Sequence, residues 1–197
     1  MRARSFHRCI GIILLLPFFG WALTGLVFFT KPGYAAAYEV LTPKTYPLEG
    51  AASIIPDPSW REFRYLRTVL GDHLLVRTDR GWKQLDPTSK QPRGKPTESD
   101  IKLLLNDAFT ANPERYGHIS SVSGDSVATD TGVEVTIDWN RMSLQQRGKD
   151  TALIDLLYRI HYLQWTGVKG VDRVLGFVGL VLVMVLTTLG AWLAIKS

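Results

Sequence analysis

The chain carries two long apolar stretches without charged residues, one near each end. The first covers residues 9–30, between Arg8 and Lys31, and the second covers 174–195, between Arg173 and Lys196. At 1.5 Å per residue, each stretch forms a helix of about 33 Å, which matches a bilayer core about 30 Å thick. The pattern therefore predicts two transmembrane helices, with a polar region of roughly 140 residues between them.

The charges beside the first stretch predict its orientation. Three arginines lie in residues 1–8, whereas Lys31 alone follows closely after the stretch. Positive charge favours the cytoplasmic side, and the first helix usually sets the topology. We therefore expect a bacterial inner-membrane protein with a cytoplasmic N-terminus (1–8), a cytoplasmic tail (196–197) and a periplasmic central region. Long loops cross the membrane largely regardless of their charge.

The first stretch also has features of a secretory signal. It follows a basic segment, and Ala35 and Ala37 offer an A-x-A cleavage motif. However, its apolar run of about 22 residues exceeds the 7–15 residues that are usual in a signal peptide. The Ala motif also lies well beyond the apolar run. A retained anchor is favoured, and cleavage after Ala37 is the alternative.

The central region has an α+β pattern. Residues 31–60 are rich in Pro, Ala and Gly and predict a connector, with a short helix near 49–53. Residues 61–149 predict a small antiparallel sheet with one packed helix. That helix begins at Thr97, where the pattern Thr-Glu-Ser-Asp is typical of a capping box. Strands are predicted at 63–69, 73–78, 82–85, 119–123, 133–139 and 142–145.

Residues 150–173 predict an amphipathic interfacial helix (150–165) and a linker. At 100° per residue, Leu153, Leu156, Leu157, Ile160 and Leu163 define an apolar sector that includes His161. Two interpretations of His161 stay open. Its imidazole binds haem iron, or it lies at the membrane surface, hydrogen-bonded to Gln164 or a loop within an aromatic belt.

Small residues at four-residue spacing occur in both apolar stretches. Such residues let a second helix approach closely, although glycine is common in membrane helices in general. The expected packing positions are Gly20 with Thr24, Thr187 with Ala191, and Gly190 with Ala194.

The remaining chemistry is weak. Cys9 is the single cysteine, which excludes an internal disulfide. The basic residues are scattered among acids, so no nucleic-acid partner is expected. No HExxH, P-loop or GxSxG motif is present, and no catalytic or metal residue is assigned. The acids at 125, 130, 134 and 138 form no specific pattern, and His73 and His118 are expected to be solvated.

Three segments resemble the PepSY-associated transmembrane family of bacterial inner-membrane proteins, in a short two-span form. They are residues 6–11 (FHRCIG) with 23–26 (LTGL), residues 81–88 (GWKQLDPT) with the helix after Thr97, and residues 157–163 (LYRIHYL). The resemblance implies a periplasmic PepSY-like domain and an association with iron uptake. Larger members of the family, with four or more spans, resemble siderophore-iron reductases, which hold b-type haem through histidines and pass electrons to a ferric substrate.

The resemblance makes His161 and His7 candidate ligands of haem b. The two histidines precede different spans on opposite sides of the membrane, about 30 Å apart, so they cannot bind one iron together. We therefore expect a non-catalytic accessory subunit in a redox or iron-uptake assembly, surrounded by lipid and joined to other membrane subunits or to a second copy. The alternatives are a haem b electron-transfer subunit and, by fold-level analogy alone, a regulator of a periplasmic peptidase.

Overall fold

The computed structural model describes residues 2–50 and 54–196, so part of the short helix expected at 49–53 lies outside the described residues. The chain forms two compact units. Residues 1–34 and 151–197 form the helical unit, and residues 35–150 form the sheet domain. The α+β class is confirmed. The helices are α1 (Arg2–Thr30), α2 (Tyr34–Ala37), α3 (Glu98–Phe109), α4 (Pro113–Tyr116), α5 (Lys149–His161) and α6 (Lys169–Ile195).

Helices α1 and α6 are long and apolar enough to cross a bilayer, as expected for residues 9–30 and 174–195. Both helices begin several residues before their apolar stretches. Hydropathy detects only the apolar part of a helix, so it misses the polar residues at the start of each one. The two helices pack antiparallel. A side chain at Gly11 would lie 3.8 Å from Leu186, and one at Gly190 would lie 3.2 Å from His7.

Helix α5 ends at His161, so the predicted end at Trp165 is wrong. Its last turns pack along the C-terminal half of α1. The ring of Tyr158 stacks on Phe28 with the centroids 4.5 Å apart. Ile160 lies 3.5 Å from the position that a Cβ of Gly20 would occupy. Ile160 of the predicted apolar sector therefore contacts α1, whereas Leu153 and Leu156 of the same sector are exposed.

The sheet domain contains two antiparallel sheets rather than the single sheet expected. Three strands follow in sequence order in the first sheet, and four in the second. The prediction missed β5, which has four residues, only two of them apolar. The strands are β1 (Glu62–Thr68), β2 (Gly71–Thr78), β3 (Gly81–Leu85), β4 (Ile119–Ser123), β5 (Ser126–Thr129), β6 (Glu134–Asp138) and β7 (Ser143–Arg147).

Helix α3 contributes to the cores of both sheets. The capping box at Thr97 is confirmed, because its hydroxyl accepts from the amide of Asp100 and the Asp100 carboxylate accepts from the amide of Thr97. Leu105 lies in the main core with strands of the four-stranded sheet. Leu104 packs instead with Leu75 of β2 and with Met142. One helix therefore supplies apolar side chains to two clusters.

The prediction that His73 is solvated is wrong, whereas His118 is exposed as expected. The exposed fraction of His73 is 0%, and that of the His118 side chain is 93%. His73 lies in β2, where four consecutive residues are buried. Both faces of this strand are covered, so the usual alternation of buried and exposed side chains does not apply.

Candidate functional site

The end of α5 sets the position of His161. The amide of Gln164 donates to the carbonyl of Arg159 at 2.8 Å, and the amide of Leu163 donates to that of Ile160 at 3.3 Å. This pair of bonds is a Schellman motif, which terminates a helix with a left-handed residue. That residue is Leu163, with φ of 55°. The helix therefore stops where the carbonyl of His161 is left without a partner inside α5.

Two side chains of α1 hold His161 in place. The indole nitrogen of Trp21 donates to the carbonyl of His161 at 2.6 Å. The hydroxyl oxygen of Thr24 lies 2.8 Å from Nδ1 of the His161 ring. The ring also meets Phe28 edge to face, with the centroids 5.1 Å apart. Both the backbone and the ring of His161 are thus fixed by one face of α1.

The hydroxyl of Thr24 has a second contact. It donates to the backbone carbonyl of Gly20 at 2.6 Å, the usual bond of a helical threonine to the residue four positions earlier. Thr24 is 3% exposed, so its hydroxyl is satisfied within the helical unit. The other ring nitrogen of His161, Nε2, has no hydrogen-bond partner among residues 2–50 and 54–196.

His161 lines a cavity of about 440 Å³. Its lining comes from α1, from the end of α5 with the residues after it, and from α6. The lining residues are Trp21, His161, Tyr162, Leu163, Gly176 and Leu180. Small-molecule sites are commonly apolar concavities with a few polar groups that fix orientation. The cavity has this character, because leucines and a glycine line it together with the polar residues His161, Trp21 and Tyr162.

The structure places His7 far from this cavity. His7 packs against Gly190, with 3.2 Å between its Cε1 and the position of a Cβ there. Thr24, which contacts His161, is about 26 Å from His7 along α1 at 1.5 Å per residue. The two candidate haem ligands therefore cannot share one iron within one chain, as the sequence indicated.

The small residues expected at helix contacts have different surroundings. Gly20 and Thr24 face α5, and Gly190 faces α1 at His7. The hydroxyl of Thr187 donates to a carbonyl of its own helix. Thr187, Ala191 and Ala194 have exposed side chains.

Sequence reasoning identified His161 but missed its partners. Trp21, Thr24 and Phe28 lie at three- and four-residue spacing, so they share one face of α1. A polar residue flanked by aromatic residues on one face of an apolar helix was the available signal. Among the described residues, no group of three or more His, Cys, Asp or Glu side chains could hold a metal ion.

Comparisons with known protein families, with curated proteins and with solved structures find no match to this chain. The resemblance to the PepSY-associated transmembrane family therefore stays a prediction.

Proposed function

We propose that this chain is a two-span inner-membrane accessory subunit of a redox or iron-uptake assembly. In this proposal α1 and α6 cross the membrane, both termini are cytoplasmic, and the sheet domain is a periplasmic PepSY-like interaction domain. The length and composition of the two helices support membrane insertion. The arginines in residues 1–8 support the orientation.

The observation that carries the proposal is an incomplete polar site in the helical unit. Thr24 lies about 9 Å before the end of α1 at Thr30, which is within the hydrocarbon region if α1 spans the bilayer. His161 is therefore an ionisable residue inside the membrane, and such residues are costly and commonly functional. Because Nε2 has no partner in the described chain, we propose that another subunit or a bound group completes the site.

Photo-crosslinking in membranes tests this lateral contact. A photoreactive amino acid replaces Leu180, which lines the cavity, or Leu26, which lies on α1 outside its lining. The two leucines are matched, because each is 61% exposed. We expect a discrete protein adduct from position 180 only, and its loss in His161→Ala. The same adducts from both positions, or none from position 180, would contradict the proposal.

Cysteine labelling tests the orientation. In a Cys9→Ser background, Asp125→Cys introduces a thiol in the turn before β5, and Lys196→Cys introduces one after α6. An impermeant maleimide applied to cells with a permeabilised outer membrane is expected to label position 125. Position 196 is expected to react only after the inner membrane is opened. The reverse pattern would contradict a periplasmic sheet domain.

A second candidate function is electron transfer through haem b. The free Nε2 of His161 beside Trp21 and Tyr162 favours it, because an imidazole ligand and an apolar aromatic wall suit a haem. His161 would be one axial ligand, and the distance to His7 requires the other from a second chain. When bound, the haem would supply one-electron chemistry.

Absorption spectroscopy decides the haem candidate. The protein is purified from membranes of haem-replete cells, as the unmodified chain, as His161→Ala and as His118→Ala. A Soret band is expected in the unmodified chain and in His118→Ala, but not in His161→Ala. His118 is the control because its side chain is 93% exposed. The candidate is rejected if the unmodified chain has no Soret band.

A further inference from the structure

The single proton of the Thr24 hydroxyl determines how Thr24 bonds to His161. The Thr24 oxygen lies 2.6 Å from the carbonyl oxygen of Gly20. A carbonyl can only accept, and a hydroxyl has one proton to donate. Two oxygens this close require that proton between them. Towards Nδ1 of His161, at 2.8 Å, the hydroxyl can therefore only accept.

The Nδ1 atom must then carry the hydrogen of this bond. A neutral imidazole has one N–H and one lone pair, so a protonated Nδ1 leaves the lone pair on Nε2. The other close groups leave this assignment unchanged. Trp21 donates to the backbone carbonyl of His161, and Phe28 and Tyr162 meet the ring through their aromatic rings.

We infer that Thr24 is a positioning residue that holds His161 as the Nδ1–H tautomer, so that the cavity presents the Nε2 lone pair to its ligand. The site then takes an electron-pair acceptor, either a metal centre or a hydrogen-bond donor such as the hydroxyl of a quinol. It disfavours a ligand whose polar groups only accept. The inference rests on the membrane site proposed above and adds the chemistry that this site selects.

The arrangement matches the way proteins prepare a histidine to act as a ligand. A ligating histidine almost always donates its other ring N–H to an oxygen, which fixes the tautomer and the ring orientation. Here that oxygen is on Thr24, and its lone pair is available because the hydroxyl donates its proton in the hydrogen bond to the carbonyl of Gly20. The apolar neighbours Leu163 and Leu180 supply no competing hydrogen-bonding side chain.

Nitrogen NMR on the full chain in detergent micelles measures the tautomer directly at pH 8. The protein contains 4 histidines, and the signals of His161 are assigned by their loss in His161→Ala. We expect a protonated Nδ1 and an unprotonated Nε2 in the unmodified protein. Thr24→Val keeps the shape but removes the acceptor, and should shift the tautomer ratio towards Nε2–H by roughly fivefold, as for one net hydrogen bond.

Two further variants separate positioning from packing. Thr24→Ser keeps the hydroxyl and should keep the tautomer of the unmodified protein. Thr187→Val removes a hydroxyl that bonds only within α6 and should have no effect on His161. The inference would be overturned if the unmodified protein had the Nε2–H tautomer. It would also be overturned if the unmodified protein and Thr24→Val had the same tautomer ratio.

Ligand titration then identifies the class of electron-pair acceptor. Hemin, decylubiquinol and decylubiquinone are added separately under argon, and quenching of tryptophan fluorescence reports binding. Tight binding of hemin assigns a metal centre, and binding of the quinol above the quinone assigns a hydrogen-bond donor. Stronger binding of the quinone, or no binding of any probe, overturns the ligand class. The tautomer result is independent of whether a partner adduct or a Soret band is found.

Discussion

We expect mild acid to destabilise the sheet domain because His73 is buried at its centre. Nε2 of His73 lies 2.7 Å from the Thr68 hydroxyl, and Nδ1 lies 3.1 Å from the Gln84 side-chain oxygen. Burial is the main reason why the pKa of His73 lies below its ordinary value. The positive charge of Arg93 lowers this pKa further, whereas Gln84 and Asp72 act in the opposite direction.

The direction of the pH effect follows from this lowered pKa. In the unfolded chain, His73 takes up a proton near pH 6.5, but in the folded domain it does so only at lower pH. Between these two pKa values the unfolded state binds more protons, so the free energy of unfolding falls as the pH falls. The loss is at most about 1.4 kcal/mol per pH unit, which gives an upper limit of about 2 kcal/mol between pH 6.5 and 5. From about one pH unit above 6.5 the contribution is complete and constant, because the unfolded chain then binds almost no proton at His73.

Urea unfolding of the full chain in mild detergent, at pH 7.5 and 5.0, measures this loss. Trp139 provides a local fluorescence signal because its ring lies edge to face with His73, with the centroids 5.7 Å apart. Between pH 7.5 and 5.0, the carboxylates whose pKa values are lowered by hydrogen bonds keep their contribution to stability, since they lose it only in stronger acid. In the sheet domain they are Asp57, Asp86, Asp100 and Asp130.

Two variants identify the responsible group. His73→Asn should lower the stability at pH 7.5 but remove most of its decrease towards pH 5.0. His118→Asn should keep the decrease of the unmodified protein. Equal stability of the unmodified protein at both pH values would refute the reasoning, as would a full decrease in His73→Asn.

Two further predictions concern the local structure of the sheet domain. Thr97→Ala removes the capping box of α3. It should lower the free energy of unfolding by about 1 kcal/mol and the melting temperature by about 4 °C. Thr88 is exposed, and Thr88→Ala should change neither quantity. Gly117→Ala should lower the free energy of unfolding by about 2–4 kcal/mol, because φ is 54° and the new Cβ would overlap Oδ1 of Asp130. Gly94→Ala, with nothing within 4 Å of its new Cβ, is the control. Thermal and urea unfolding of the four variants measures these changes. Equal stability of Thr97→Ala and Thr88→Ala would contradict the first prediction, and equal stability of Gly117→Ala and Gly94→Ala would contradict the second.

The sequence predicted those helices and strands whose pattern lies within one short segment. The two apolar stretches, the capped helix after Thr97 and most strands follow from length, capping and alternation. The division into two sheets could not be predicted, because alternation shows that a strand has a buried face but not which strand it pairs with. His73 was misjudged for a related reason. Its strand is covered on both faces, and that cover comes from residues distant in sequence, such as Leu104 and Trp139.

The sequence predicted one residue of the candidate site, His161, but not the contacts that determine its tautomer. The helical sector of α5 indicated His161, because a histidine on an apolar face is unusual. Its contact with Thr24 joins residues 137 positions apart, and no local pattern reports such a contact. The assignment of Nδ1 as the donor depends further on the Thr24 hydroxyl donating to the carbonyl of Gly20, which only the distance between the two oxygens shows.

The early end of α5 explains why the site exists. If the helix continued to Trp165, the amide of that residue would bond to the carbonyl of His161 and would compete there with the bond from Trp21. The end requires Leu163 to adopt a left-handed conformation, which costs roughly 1–2 kcal/mol for a residue other than glycine. Leu163 is 7% exposed and packs where Gly179 has no side chain, so its burial offsets that strain. The strained residue and the two contacts from α1 are therefore parts of one local structure, which fixes His161 in the lining of the cavity.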